Sequence, residues 1–240
     1  MKLDILVFGA HPDDAELGAG GTIAKEVSRG KKVGIIDLTR GELGTRGTPE
    51  IRDQEAAKAA NILNIAVREN MEFADGFFIN DKAHQLEIIK MVRKYRPEIV
   101  LCNAVDDRHI DHGKGSKLVS DACFLSGLTK IDTKMEGEDE WQEAWRPKVV
   151  YHYIQWKNLT PDFAVDVSGF IEKKTEAILA YSSQFFDPNS DEPETPISSK
   201  NFIDSVNYRA RDLGRLIGVE YAEGFTVERF VGVDNLDDLI

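Results

Sequence analysis

The sequence predicts a single α/β domain with a Rossmann-like, mostly parallel sheet and helices on both faces of that sheet. Short apolar runs rich in β-branched residues alternate with stretches of helical spacing, which is the pattern of successive βαβ units. The chain has 240 residues, the size of one large domain, and 42% of them are hydrophobic, enough for a substantial core. No internal repeat divides it. We therefore expect one domain over residues 1–240.

The first half of the chain alternates regularly between predicted strands and helices. Gly30 is placed to end the first helix, and Pro97 stops the helix that precedes the third strand. The predicted strands are residues 3–9, 32–38 and 98–103, and the predicted helices are 15–28, an Ala-rich helix from about 51, 83–95 and 113–125.

The second half is less regular. Residues 182–200 are rich in proline, serine and acidic residues, which predicts an irregular excursion or flap. The acidic tail, residues 234–240, is either a frayed end or a subunit contact. The predicted strands are residues 149–156, 163–167 and 224–231, and the predicted helices are 170–181 and 201–217.

Charge and composition argue against several classes of function. A net charge of -12, with the basic residues dispersed along the chain, disfavours nucleic acid and anionic membranes as partners. The first apolar run, Ile5 to Ala10, is too short for a signal peptide or a membrane span, so we expect a cytoplasmic protein. Cys102 and Cys123 are far apart and form no CxxC motif, and we expect both to be reduced core residues.

Two clusters of histidine and aspartate follow predicted strands. GAHPDD, residues 9–14, closes the first strand, and RHIDH, residues 108–112, follows the strand at 98–103. Ligands of an open α/β sheet bind outside the carboxyl ends of its strands, so these loops face each other if the two strands are neighbours. Three of the five histidines fall in these loops. His11 with Asp14 alone could be a helix cap, but the second cluster favours a metal site.

The residue types suit a catalytic metal site with one position open to water. His11, Asp14 and His112 are the candidate ligands for one Zn²⁺ per subunit, and Fe²⁺ suits the same donors. Asp13 is the candidate general base. His109 is the candidate to stabilise an oxyanion as an imidazolium, or to protonate the leaving nitrogen.

Further residues complete the predicted site. We expect Asp111 to hold His112 by its other ring nitrogen, from outside the ligand set. Arg52 and Arg108 are candidate substrate-binding residues, because guanidinium groups beside one cleft favour a carboxylate or phosphate. Arg52 can equally form a helix pair with Glu55, one turn on.

Three other basic side chains carry weaker predictions. Arg46 lies in the same loop region as the predicted site. His84, on a polar helix, is expected to have no function. His152, in a predicted strand, is expected to be structural, although it could line the pocket.

With these motifs in view, the sequence resembles the LmbE-like, or PIG-L-like, family of zinc-dependent N-acetylglucosaminide deacetylases. The resemblance is strong at AHPDD, residues 10–14, and at DRHIDH, residues 107–112. It implies the same assignment of roles: zinc on His11, Asp14 and His112, with Asp13 as base and His109 at the oxyanion.

A narrower resemblance, to the bacillithiol-biosynthesis deacetylases, extends over nearly the whole chain through stretches such as LDILVFGAHPDDAELGAGGTIAK and GVEYAEGF. It implies removal of acetyl from N-acetylglucosaminyl malate, with a malate carboxylate for Arg52 and Arg108, and a homo-oligomer such as a hexamer. Ile110 replaces the proline of many relatives, and residues 39–42 differ somewhat, so another GlcNAc conjugate, such as a chitobiose-like sugar, stays open.

Two rival functions follow from the same sequence. Gly18, Gly20, Gly21 and Asp37 suggest a Rossmann-like nucleotide-binding module without hydrolytic activity, but the first βα turn lacks GxGxxG. A metal-dependent phosphoesterase would need additional ligands, usually for two ions, and none is evident.

Overall fold

A seven-stranded sheet forms the centre of the computed structural model, which describes residues 1–239. Its strands are β1 (Ile5–Gly9), β2 (Val33–Asp37), β3 (Val67–Asn70), β4 (Ile99–Cys102), β5 (Val149–Tyr153), β6 (Phe163–Asp166) and β7 (Ala222–Val227). They lie in the order β3-β2-β1-β4-β5-β7-β6. The first five strands are parallel, and β7 is antiparallel to both of its neighbours. The prediction of a mostly parallel, Rossmann-like sheet is confirmed.

Helices cover both faces of this sheet. The helices are α1 (Asp14–Ser28), α2 (Pro49–Leu63), α3 (Lys82–Tyr95), α4 (Ile110–Ser126), α5 (Ile171–Leu179) and α6 (Lys200–Ile217). One core cluster joins the sheet to α1, α2 and α5, with α6 packed at its margin, and a second joins it to α3 and α4. All five residues of β1 are buried because both faces are covered, which explains its continuous apolar run.

Close packing of α1 on the sheet fixes the start of that helix. A Cβ at Gly18 would overlap the ring of Tyr153 in β5, so only glycine permits this approach. The Tyr153 hydroxyl donates a hydrogen bond to the backbone oxygen of Phe8, at 2.9 Å. Strand β5, helix α1 and the end of β1 are therefore held together beside the first histidine cluster.

Several predicted boundaries differ from the structure. Strand β3 was not predicted, because VREN is short and polar and lies at the sheet edge. Helix α4 begins three residues before the predicted start at residue 113, since the His109 ring accepts a hydrogen bond from the Asp111 amide and caps it. Strand β5 ends three residues before its predicted end at residue 156, and β7 ends at Val227 rather than residue 231.

The segment predicted as a flap contains no helix or strand before α6 begins. Its first residues are tied to α2, where the Glu55 carboxylate accepts hydrogen bonds from Ser182 and Ser183. In the tail, Leu236–Leu239 forms a 3₁₀ turn, and Ile240 lies outside the described residues. None of the helices in the described part of the chain is both long enough and apolar enough to cross a membrane.

Candidate metal centre and active site

The two histidine clusters meet at the carboxyl ends of β1 and β4. These strands are direct neighbours, with Ile5 opposite Ile99, and strand order reverses between them. Loops that leave such a switch point on either side open a crevice. The His11 ring centroid lies 4.5 Å from that of His109 and 5.7 Å from that of His112. The structure therefore brings together the histidines of both predicted motifs.

The adjacent carboxylates of Asp13 and Asp14 point in different directions. Asp13 has a backbone φ of 117°, which residues other than glycine rarely adopt. Its Oδ2 accepts a hydrogen bond from Arg52 Nη2 at 3.1 Å. Asp14 Oδ1 instead lies 3.2 Å from His112 Nε2, and its Oδ2 lies 3.5 Å from His11 Nδ1. The strained turn thus separates two buried carboxylates into two environments.

Asp14 is fixed by side-chain amides from the segments that follow β4 and β5. It accepts hydrogen bonds from Asn103 Nδ2 at 3.0 Å and from Gln155 Nε2 at 2.6 Å. Asn103 Oδ1 also accepts from the Ala10 amide at 2.8 Å, which ties the end of β4 to the turn after β1. Burial raises the pKa of Asp14, but the opposing effects of His112 and His11 are larger and bring the pKa well below its usual range. Asp14 is therefore ionised, as a metal ligand must be.

Each of the two histidines beside Asp14 has a second carboxylate at its other ring nitrogen. His112 Nδ1 lies 2.8 Å from Asp107 Oδ2, and His11 Nε2 lies 3.0 Å from Asp75 Oδ1. A carboxylate behind a ligating histidine fixes the ring orientation and raises its basicity. Asp75, from the loop after β3, was not predicted. Nothing in the sequence distinguishes Asp75 from the many other acidic residues of the chain.

The prediction that Asp111 holds His112 is wrong. Asp111 lies 3.5 Å from His11 Nε2 and accepts hydrogen bonds from the Gly76 amide and from Lys114. Adjacent residues on a helix do not face each other, so Asp111 turns away from the His112 ring. Asp107, which precedes the helix, occupies the expected position.

The protonation equilibria of the site reflect burial and the packed charges. Burial raises the pKa of Asp13 to about 7, although Arg52 opposes the rise. Burial lowers the pKa of His112, but the Asp14 carboxylate and the hydrogen bond to Asp107 raise it more, to about 9. Burial, and then the positive charges of His11 and His112, lower the pKa of His109. The lowered pKa favours a neutral His109 ring near pH 7, whereas the sequence predicted a protonated imidazole for both of its candidate roles.

The donor set fits a divalent metal. His11 Nδ1 and His112 Nε2 both face the ionised Asp14 carboxylate. Two groups of described residues have ligand atoms within reach of one ion: His11 with His109 and His112, and His11 with Asp75 and Asp111. Imidazole with carboxylate suits zinc and several other first-row divalent ions. The structure thus contains a possible metal site in the predicted place.

A cavity of about 480 Å³ opens over this centre. Its floor contains the histidine and aspartate side chains, and its walls come from the loop after β2, residues 195–197 and helix α6. A larger, more open groove of about 990 Å³ lies between α2, α5 and α6, but its described lining residues include no histidine. The smaller cavity is therefore the candidate active site.

The predicted substrate-binding arginines have different environments. Arg52 is buried, and its donors reach Asp13 and the backbone oxygens of Pro12 and Gly41, so internal groups occupy it. The alternative pair with Glu55 does not form. Arg108 is exposed at the cavity, with its guanidinium carbon 4.5 Å from the Trp156 ring centroid.

The remaining basic side chains lie outside the cavity lining. Arg46 is buried and donates to Ser190 Oγ. His152 is buried between Ser116 Oγ, at 2.8 Å, and the Glu228 carboxylate, at 3.1 Å, which is the structural role expected for it. His84 contacts Asp81 at the start of α3.

Besides Asp75, the lining residues Gln155, Trp156 and Arg209 were missed by sequence reasoning. The first two follow β5, and polar or aromatic residues after a parallel strand are a signal that could have found them. Arg209 lies inside a surface helix and carries no such signal.

The fold and the site define a Rossmann-like α/β protein with a candidate His/Asp metal centre at the switch point of its sheet. The family model for GlcNAc-PI de-N-acetylases, PIG-L, matches residues 6–123, which include both motifs. The structure of a conserved protein from Thermus thermophilus superposes with a TM-score of 0.83 at 36% identity, covering 97% of this chain and 98% of that one. The chain belongs to the PIG-L, or LmbE-like, family.

Two curated relatives of the chain are named as deacetylases of N-acetylglucosamine conjugates. The diacetylchitobiose deacetylase of Thermococcus kodakarensis is 29% identical over 194 residues, covering 75% of this chain and 70% of the relative. The probable N-acetyl-alpha-D-glucosaminyl L-malate deacetylase 2 of Bacillus anthracis is 28% identical over 200 residues, covering 75% of this chain and 81% of the relative. The expected enzyme class, a carbohydrate N-deacetylase, is confirmed at the level of the family.

Proposed function

We propose that this protein is a metal-dependent N-deacetylase that converts N-acetylglucosaminyl malate to glucosaminyl malate and acetate, as in bacillithiol biosynthesis. The observation that best supports the proposal is that the adjacent carboxylates of Asp13 and Asp14 have different partners. Asp14 faces the free nitrogens of two histidines, and Asp13, beside it, faces Arg52 alone. The likeness to relatives that act on N-acetylglucosamine conjugates supports the substrate class.

In this proposal His11, Asp14 and His112 hold one divalent ion, Zn²⁺ or Fe²⁺. When bound, the ion supplies Lewis acidity and lowers the pKa of water at its open position. Asp75 and Asp107 orient the two imidazole rings from behind, at 3.0 and 2.8 Å. They are positioning residues for the ligands rather than ligands themselves.

Asp13 serves as the general base. Arg52 holds one of its carboxylate oxygens at 3.1 Å, so that the other can accept the proton of the attacking water. Water adds to the acetamide carbonyl carbon, and the C–N bond then breaks as Asp13 returns the proton to the sugar nitrogen. Arg52 thereby becomes a positioning residue for the base, in place of the predicted substrate contact.

His109 donates a hydrogen bond to the carbonyl oxygen as negative charge develops there. Its Nδ1 accepts from the Asp111 amide at 3.3 Å, so the proton of the neutral ring is on Nε2. A neutral donor suits this site, because a positive charge on His109 would be repelled by those of His11 and His112. A preorganised donor at a developing oxyanion typically contributes about 2.7–4 kcal/mol.

An assay of amine release, combined with metal analysis of the purified chain, tests the proposal. Three substrates are compared: N-acetylglucosaminyl malate, diacetylchitobiose and a neutral methyl N-acetylglucosaminide. We expect bound metal and the highest kcat/KM with the malate conjugate. A higher kcat/KM with diacetylchitobiose would select the alternative substrate that the Thermococcus relative suggests. Release from none of the three would refute the deacetylase.

A nucleotide-binding module is the rival of a different class. The crevice where a Rossmann fold receives phosphates is here lined by Asp13 and Asp14, which repel them. Calorimetry with NAD and ATP would reveal this rival as tight nucleotide binding that does not depend on metal.

We also propose a homo-oligomer, a hexamer in the narrower family. Phe77 and Phe230, which are 76% and 100% exposed, are apolar groups that a subunit contact would cover. Light scattering measures the mass in solution, and a monomer at assay concentrations would exclude it.

A further inference from the structure

Two arginines meet the same tryptophan on one side of the cavity. Arg108 comes from the loop after β4 and stacks on the Trp156 ring, 4.5 Å from its centroid. Arg209 comes from α6, and its Nη2 donates to the backbone oxygen of Trp156. Phe202 also stacks on the indole, with ring centroids 5.3 Å apart. All four side chains line the cavity.

Neither arginine forms an ion pair with a described residue of the chain. The carboxylate that acts on Arg209 is Asp107, and it raises the pKa of that arginine less than burial lowers it. Asp107 is already engaged, because it accepts from the His112 ring and from the Arg108, Trp156 and Lys157 amides. It therefore provides no dedicated partner for Arg209.

Two features together distinguish Arg209 from the more deeply buried arginines: it lines the cavity, and it forms no ion pair with a described residue. Arg52 pairs with Asp13, and Arg68 pairs with Asp37 and Glu16. Arg93 donates to backbone oxygens at the end of α4 and beyond it. Arg46 has no carboxylate partner among residues 1–239 either, but it does not line the cavity.

A half-buried cation without a counter-ion is costly to the folded protein. Among the described residues, Arg209 Nε has no hydrogen-bond partner, as is also the case for Arg46 Nε and Arg52 Nε. An anionic ligand that enters the cavity would supply the missing counter-charge to the Arg209 guanidinium. Arg108 can assist, because a guanidinium stacked on an aromatic face keeps the donors at its edge free.

We infer that Arg108 and Arg209, with Trp156 in contact with both, form a subsite for the carboxylate of the substrate's aglycone. This inference rests on the proposed deacetylase function and extends it. The acetamide is positioned over the histidines and carboxylates of the metal centre, while the anionic end of the substrate is held by arginines brought by α6 and the β4–α4 loop. The subsite makes the enzyme select an acidic aglycone over a neutral one.

The test distinguishes an effect on binding of the aglycone's charge from an effect on the deacetylation step. Steady-state kinetics are measured for the wild type, Arg209→Met and Arg209→Lys, each with N-acetylglucosaminyl malate and with neutral methyl N-acetylglucosaminide. Arg211→Met is the matched control, because Arg211 lies on the same helix, is exposed and lines the other groove. Thermal melts and metal content show that each variant is folded and loaded.

For Arg209→Met we expect KM for the malate conjugate to rise about 10- to 100-fold, the effect of losing a hydrogen bond to a charged group. kcat, and both parameters for the neutral glycoside, should stay near their wild-type values. Arg209→Lys should recover part of the loss, and Arg211→Met should show none. An equal loss on both substrates would assign Arg209 a structural role, and no loss would place the carboxylate elsewhere; either overturns the inference.

Failure of the proposed function would be recognised separately. If the wild type releases amine from none of the substrates, binding of N-acetylglucosaminyl malate is measured directly by calorimetry. Binding that is weakened by Arg209→Met and unchanged by Arg211→Met would support the subsite without any turnover. An absence of binding by the wild type at millimolar ligand would refute it.

Discussion

Replacement of Arg52 by methionine tests how the pKa of Asp13, the proposed general base, is controlled. In the structure Asp13 and Arg52 are both only 5% exposed, and their side chains meet at 3.1 Å. Burial holds the pKa of Asp13 near 7 even with this cation present. Without it, the burial effect loses its largest opposing charge, and the pKa of Asp13 rises. The base then stays protonated, and inactive, to a higher pH.

The magnitude follows from the contact that is lost. A hydrogen bond to a charged group contributes about 1.5–3 kcal/mol, and each pKa unit corresponds to about 1.36 kcal/mol. We therefore expect the acid limb of the kcat/KM profile to move upward by about 1–2 pH units. Because half of the Asp13 carboxyls are already protonated at pH 7 in the wild type, the loss there is about 5- to 50-fold, and higher pH should restore it.

The assay is amine release by the wild type, Arg52→Met and Arg52→Lys across both limbs of the pH profile, with metal content measured in parallel. Arg46→Met is the matched control, since Arg46 is equally buried but contacts no carboxylate. It should leave the acid limb in place. A reduction by Arg52→Met that is the same at every pH would refute the reasoning, as would an unmoved limb.

Three further variants test other parts of the site. Asp13→Asn should retain its metal and lose about 10²-fold or more in turnover at every pH, and loss of the metal instead would make Asp13 a ligand. Gly41→Ala should destabilise the fold in thermal melts by about 1–2 kcal/mol, because its φ is +66°, and should also displace the guanidinium that holds Asp13. Gly137→Ala, at φ +78° in open space, should show the backbone cost alone, so equal turnover by the two variants would contradict the displacement. Asp107→Asn should weaken metal binding about 10- to 100-fold in a competition titration, whereas Asp106→Asn, at the exposed neighbour, should not.

The central strands could be predicted from the sequence because their burial leaves a direct trace. β1 and β4 are enclosed by helices on both faces, so they are continuous apolar runs. The edge strand β3 packs less and was missed, since Val67–Asn70 has the composition of a polar loop. That β1 and β4 are neighbours could not be predicted from the sequence, because tertiary packing determines which strands pair in a parallel sheet.

The site was predictable where its residues directly follow predicted strands. The histidines at 11, 109 and 112 meet that condition, and the structure brings them together. Asp75 and Arg209 do not, because one lies in an irregular loop after the missed strand and the other in the middle of α6. Only the packing of these elements over the switch point places the two side chains at the cavity.

Neighbouring acidic residues show why local geometry decides roles that composition leaves open. Asp111 and His112 are consecutive on a helix and so diverge by about 100° of rotation, which leaves the His112 ring to Asp107. Asp13 and Asp14 must also diverge, but they do so at the turn, where Asp13 takes a positive φ. Such a conformation costs about 1–3 kcal/mol and persists only where surrounding contacts impose it. Arg52, which binds both the Asp13 carboxylate and the Pro12 oxygen, is such a contact. The side chain that lowers the pKa of the proposed base therefore also holds the turn that separates it from Asp14, the proposed metal ligand.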